Sequence, residues 1–162
     1  MNTFGAGIDF EGKPMQPKNR YKIFGTNINH LIKNKLRGYI SINVQTGDAL
    51  DTHSFATLIG VGATTVNPYL ALDSIYQRYK KNLFGKYNYE ECIERYIKSV
   101  NAGLLKIMSK MGISVLSAYR GGCNFEAVGL SRSIVAEYFP GMISRISGIG
   151  ISGIEKKIKE LH

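Results

Sequence analysis

Between Asn88 and Met111, apolar residues recur at three- and four-residue intervals: Ile93, Tyr96, Ile97, Val100, Leu104, Ile107, Met108 and Met111. One apolar face kept over several turns predicts a long amphipathic helix. Gly112 follows the last periodic residue, where a left-handed glycine closes many helices. The next run, Ile113 to Tyr119, is short and mostly apolar, which suits a buried strand of a parallel sheet. Arg120-Gly121-Gly122 then turns the chain into another helical pattern. Helix, strand, glycine turn and helix together make the repeating unit of an α/β domain.

The remaining segments extend that alternation. Ile28, Leu31, Ile32 and Leu36 share one side of a short helix over 27–36, which Gly38 ends. Ile40, Ile42 and Val44 alternate along 39–44 and predict a strand. Asp51 caps a helix over 52–60, and Thr64–Val66 is a brief extended run. Asn67-Pro68 fixes a turn, because the residue before proline is pushed out of the helical region. Leu72, Ile75, Tyr76, Tyr79 and Leu83 stripe a helix over 70–83. Ser131 caps 132–139, which Pro140-Gly141 terminates. Ser144–Ser152 reads as a glycine-spaced connector, and Ser152 caps a last helix over 153–161, with Ile154, Ile158 and Leu161 on one side. Residues 1–22, broken by Gly5, Gly7, Gly12, Pro14 and Pro17, read as an irregular arm.

Three strands alternating with helices predict an α/β fold with right-handed crossovers. A closed barrel of eight βα units takes roughly 200 residues or more, and this chain has 162. The expectation is therefore a partial, barrel-like or small open parallel sheet of about three strands, with helices packed around it. Its edges need cover.

Composition narrows the function classes. No apolar run reaches the roughly 18 residues that a membrane span takes, and no secretory signal opens the chain; a cytoplasmic protein is expected. The net charge is +9, with 21 basic and 12 acidic residues. The one local excess, Lys13 to Arg37, holds seven basic and no acidic residues. Its two aromatics, Tyr21 and Phe24, form no stacking platform. A solvated face or contact with an acidic partner is more economical there than nucleic-acid binding.

Few residues suggest chemistry. Cys92 and Cys123 stand far apart without ligand-like spacing, so buried or half-buried thiols are the simpler reading and no metal site is assigned. Cys123 beside Gly121-Gly122, at an expected helix N-terminus, would be activated if exposed. His53 and His30 lack a carboxylate or nucleophile at a recognisable spacing, and no catalytic residue is assigned. The turn Arg120-Gly121-Gly122-Cys123-Asn124 has two readings. Backbone N–H groups after a strand could cradle a phosphate, with Arg120 adding charge. Alternatively, the glycines simply let two elements pack closely. The dinucleotide spacing G-x-G-x-x-G is absent, which favours the second.

Longer pieces carry a resemblance. Gly103–Ser114, Ser117–Gly121 and Phe125–Leu130 resemble the large chain of glutamate synthase, at the end of its central region. Thr46-Gly47, His53, Phe55, Ile59-Gly60, Gly62-Ala63 and Asn67–Ala71 resemble it in the same order, as do Tyr138-Phe139, Ser144–Ile146 and Gly148–Gly150. The likeness runs from about Asn29 to Gly153. It implies a flavin-free α/β region between an N-terminal glutamine amidotransferase domain and an FMN-binding barrel, helping to guide ammonia between them. It also implies membership of an oxidoreductase of ammonia assimilation and nitrogen metabolism. That enzyme makes glutamate from glutamine and 2-oxoglutarate, using FMN, an iron–sulfur cluster and electrons from NAD(P)H or ferredoxin.

Departures bound what carries over. The chain opens Met1-Asn2-Thr3, where the family places a cysteine nucleophile. The flavin barrel and the cluster's cysteine triplet would follow residue 162. Ser117-Ala118-Tyr119 stands where the family has Gln-Ser-Tyr, and Gly122-Cys123-Asn124 where it has Ala-Gln-Ile. The expected division is an arm at 1–22, a central-domain-like unit at 23–143, and a connector with a C-terminal helix at 144–162 leading towards the FMN domain. The resemblance implies a fragment or split subunit, inactive alone, whose partners are the other domains. The alternative is an independent module binding a phosphate-bearing or other anionic ligand.

Overall fold

A computed structural model describes residues 28–161. The arm at 1–22, most of the basic segment and His162 lie outside the described residues. The elements in chain order are α1 (28–33), β1 (Asn43–Gln45), α2 (Thr52–Gly60), β2 (Thr65–Asn67), α3 (Tyr69–Lys80), α4 (Tyr89–Lys110), α5 (Leu116–Tyr119), β3 (Glu126–Leu130), α6 (Arg132–Tyr138), β4 (Ile143–Ile149) and α7 (Ile151–Leu161).

α4 is the spine. Asn88 caps it reciprocally: its side chain accepts from the Glu91 N–H at 2.8 Å, and the Glu91 carboxylate accepts from the Asn88 N–H at 2.9 Å. This box satisfies two of the amides that a helix start leaves without partners. Gly112, at φ +71°, closes the other end. The stripe does what its spacing predicts in the middle: Val100 and Met108 are buried, while Ile97 and Met111 remain exposed. α2 lies against this face. Ala56, Ile59, Met108 and Tyr119 make one core cluster, and Ala49, Phe55 and Val100 make a second. On the far side, Tyr89 of α4 meets Tyr76 of α3 edge-on, with ring centroids 5.4 Å apart.

The sheet differs from expectation. Four strands form two separate two-stranded parallel pairs, β1 with β2 and β3 with β4. Asn43, Val44 and Gln45 pair with Thr65, Val66 and Asn67. Glu126, Val128 and Leu130 pair with Ile143, Ile146 and Ile149, two residues advancing against three at each step, so the pairing is irregular. The architecture is mixed α/β and open, with no closed barrel among the described residues.

Three local readings are corrected. Ile113–Tyr119 is not a strand; its second half is the one-turn helix α5, which drives Tyr119 into the core at 1% exposure. The stretch after Gly121-Gly122 does not open a helix but forms β3. Ser144–Ser152 is not a bare connector, since Ile143–Ile149 is β4. The expected strand at 39–44 shrinks to Asn43–Gln45, with Tyr39 left 89% exposed.

Candidate functional site

A cleft of about 380 Å³ lies among the described residues. It is walled by α1, by the turn after α2, by residues 117–123 and by the segment after α6. Asn29 ties one wall to another, its Nδ2 donating to the Glu137 carbonyl at 3.0 Å. Ile28, Ile32, Phe139 and Met142 supply an apolar lining, and Arg37 and Arg120 supply charge.

The two arginines are held very differently. Arg37 donates through Nη2 to the Gly62 carbonyl at 2.6 Å and through Nη1 to the Ile40 carbonyl at 2.9 Å. Burial, and secondarily the positive charge of Arg120, holds the Arg37 guanidinium below its ordinary range. Arg120 projects from the end of α5, and its Nε is buried without a hydrogen-bond partner. Among the described residues, no aspartate or glutamate lines the cleft.

The glycine turn itself is occupied by its own bonds. The N–H groups of Arg120, Gly121 and Gly122 donate to the carbonyls of Leu116 (3.0 Å), Gly60 (2.8 Å) and Tyr119 (3.3 Å). Asn124 Nδ2 adds a bond to the Tyr119 carbonyl at 3.0 Å. Gly121 sits at φ +70° and Cys123 at +51°; these bonds fold the turn onto α2 and α5. The helix N-terminus required of a phosphate cradle is replaced by β3.

The other candidates do not converge. Cys92 is buried and Cys123 exposed, so the half-buried reading fails for the second. His53 is exposed in the first turn of α2, where its carbonyl accepts from Thr57 Oγ1 at 2.9 Å. His30 is exposed near Asn34, 3.3 Å from its Nδ2. Among the described residues no three His, Cys, Asp or Glu side chains are grouped to hold a metal ion. No helix among them is long and apolar enough to cross a membrane. Sequence reasoning missed Arg37 because it belongs to the basic run Lys13–Arg37, and nothing local separates it from its solvated neighbours.

The described residues thus form an open α/β piece carrying a basic cleft. Residues 21–131 match the glutamate synthase central domain family. The chain is 61% identical over 133 residues to the glutamate synthase [NADPH] large chain of Azospirillum brasilense, covering 82% of this chain and 9% of that one. It is 44% identical over 136 residues to the Bacillus subtilis large chain, covering 82% and 9%. Against the ferredoxin-dependent glutamate synthase 1 of Arabidopsis thaliana it is 46% identical over 129 residues, covering 74% and 8%. The chain belongs to the glutamate synthase central domain family, and it spans under a tenth of the length of these relatives.

Proposed function

We propose that this chain is the flavin-free scaffold of a glutamate synthase, a fragment or split subunit lying between the amidotransferase and FMN-binding domains. In this reading, residues 23–143 form the central-domain unit, and 144–162 lead towards the FMN domain. The assembled enzyme, working in the cytoplasm, makes glutamate from glutamine and 2-oxoglutarate, and its FMN and iron–sulfur cluster reside outside this chain. The observation that carries the reading is 61% identity across 82% of this chain against only 9% of the relative. One face of the structure supports it. On the β3–β4 pair, Val128 is 63% and Ile146 62% exposed, with Ile143 at 53%. An exposed patch with two open isoleucines and a valine is suited to burial against a neighbouring domain.

The test is association. Wild-type chain mixed with the remaining glutamate synthase domains is expected to co-elute in size-exclusion chromatography. Ile146→Asp is expected to abolish co-elution while leaving the chain's own unfolding midpoint unchanged, because the side chain is already exposed. Failure of the wild-type chain to associate rejects the scaffold role.

A further inference from the structure

We propose that the cleft between Arg37 and Arg120 is a binding site for a small organic carboxylate. Two guanidinium groups face one recess, close enough for the charge of Arg120 to act on Arg37. Like charges at short range are mutually destabilising unless an anion lies between them. Among the described residues, no aspartate or glutamate lines the recess to supply that anion. Arg37 is clamped in place by the Gly62 and Ile40 carbonyls. Its own donors are therefore partly spent, and it contributes a fixed charge. Arg120 is the complementary case. Its Nε is buried without a hydrogen-bond partner.

Buried unpaired donors are costly and rare, and a charged donor costs more than a neutral one. A guanidinium is shaped for two parallel N–H···O bonds to one carboxylate. The rest of the recess fixes the ligand class. Its volume, about 380 Å³, suits a small molecule. Ile28, Ile32 and Phe139 line it beside the charge, which suits a carboxylate carrying a short aliphatic body. The glycine turn adds no donors, because its three N–H groups are already bonded to Leu116, Gly60 and Tyr119. Recognition falls to the arginine side chains, whose planar fork matches a carboxylate. A tetrahedral phosphate also pairs with a guanidinium, but the backbone nest that would complete its site is already filled. This site stands on the cleft alone and holds whether or not the chain acts as a scaffold.

The experiment is a titration of the chain with succinate, acetate and inorganic phosphate at constant ionic strength, followed through the Arg Nε–H signals by NMR. The expected result is a saturable shift of the Arg120 Nε–H with succinate, weaker with acetate, and none with inorganic phosphate. In Arg120→Gln the succinate affinity is expected to fall by about tenfold or more, the loss of a charge-assisted bidentate pair. Arg120→Gln should also unfold no earlier than wild type, since it removes a charge that repels Arg37. Arg37→Lys, which keeps the charge, is expected to retain most of the affinity. The proposal is overturned by a linear, non-saturating response, by equal binding in Arg120→Gln, or by saturation with phosphate alone.

Discussion

The hydroxyl of Tyr119 donates to the carbonyl of Ala56 at 3.1 Å, tying the one-turn helix α5 to the middle of α2. Tyr119 is 1% exposed, and its ring meets Phe125 edge-on with centroids 6.3 Å apart. Tyr119→Phe keeps the packing and removes the bond, so a loss of about 1 kcal/mol is expected in urea unfolding. Tyr119→Ala empties the site and is expected to cost about 3–5 kcal/mol. Burial holds the phenol above the ordinary tyrosine value. The folded state therefore keeps its proton more tightly than the unfolded one. The stability this group contributes is whole below about pH 10 and drains away as pH rises through the folded value. Tyr119→Phe should flatten that alkaline decline.

A second lock joins the same elements from the other side. Gly60 ends α2, its carbonyl accepts from Gly121 N–H at 2.8 Å, and a Cβ built on it would strike the Phe125 ring, with Cδ2 at 2.9 Å. Alanine is the better helix former by roughly 1 kcal/mol, yet Gly60→Ala is expected to destabilise by about 1–3 kcal/mol because the ring is held in the core. A gain in stability would show that Phe125 yields.

Much of this was legible in the chain, and the exceptions have physical causes. α4 announced itself through a long 3.6-residue period and a glycine stop, and Asp51 and Ser131 both cap the helices they were expected to cap. Ile113–Tyr119 failed because a seven-residue apolar run has no period that separates strand from buried helix; the core position of Tyr119 decided it. β3 and β4 were hidden by their glycines. Gly129 and Gly148 look like breakers, but a Cβ at Gly148 would sit 2.7 Å from the Gly129 Cα. The glycines are what let these two strands approach. Arg120 was picked out as the charged member of its turn. Its neighbour Arg37 was invisible, because 83 residues separate the two in sequence.

That close approach gives a further expectation. Gly148→Ala places a methyl against backbone, which cannot rotate away, so β3–β4 pairing should loosen and its amides should exchange faster. Gly150→Ala, with nothing within 4 Å of the added carbon, should leave the same amides unchanged. Equal effects at both positions would mean that glycine flexibility matters there, and close approach does not.

The acid side of the stability profile should trace to the α2 cap. Ser54 donates to Asp51 Oδ1 through its hydroxyl at 2.6 Å and its N–H at 2.9 Å. Those bonds, the hydroxyl first, hold the carboxyl below the ordinary aspartate value. A depressed folded pKa means the contribution is present above about pH 4 and disappears as pH falls through the folded value. Asp51→Asn keeps an acceptor without the charge. Its urea midpoint is expected to change less than the wild-type one between about pH 5 and about pH 2.

The scaffold account is tested most directly by activity. Glutamate formation from glutamine and 2-oxoglutarate should be undetectable with this polypeptide alone, absent from the remaining glutamate synthase domains without it, and restored when the two are combined. Turnover by the isolated chain, or full turnover by the other domains in its absence, would contradict the account.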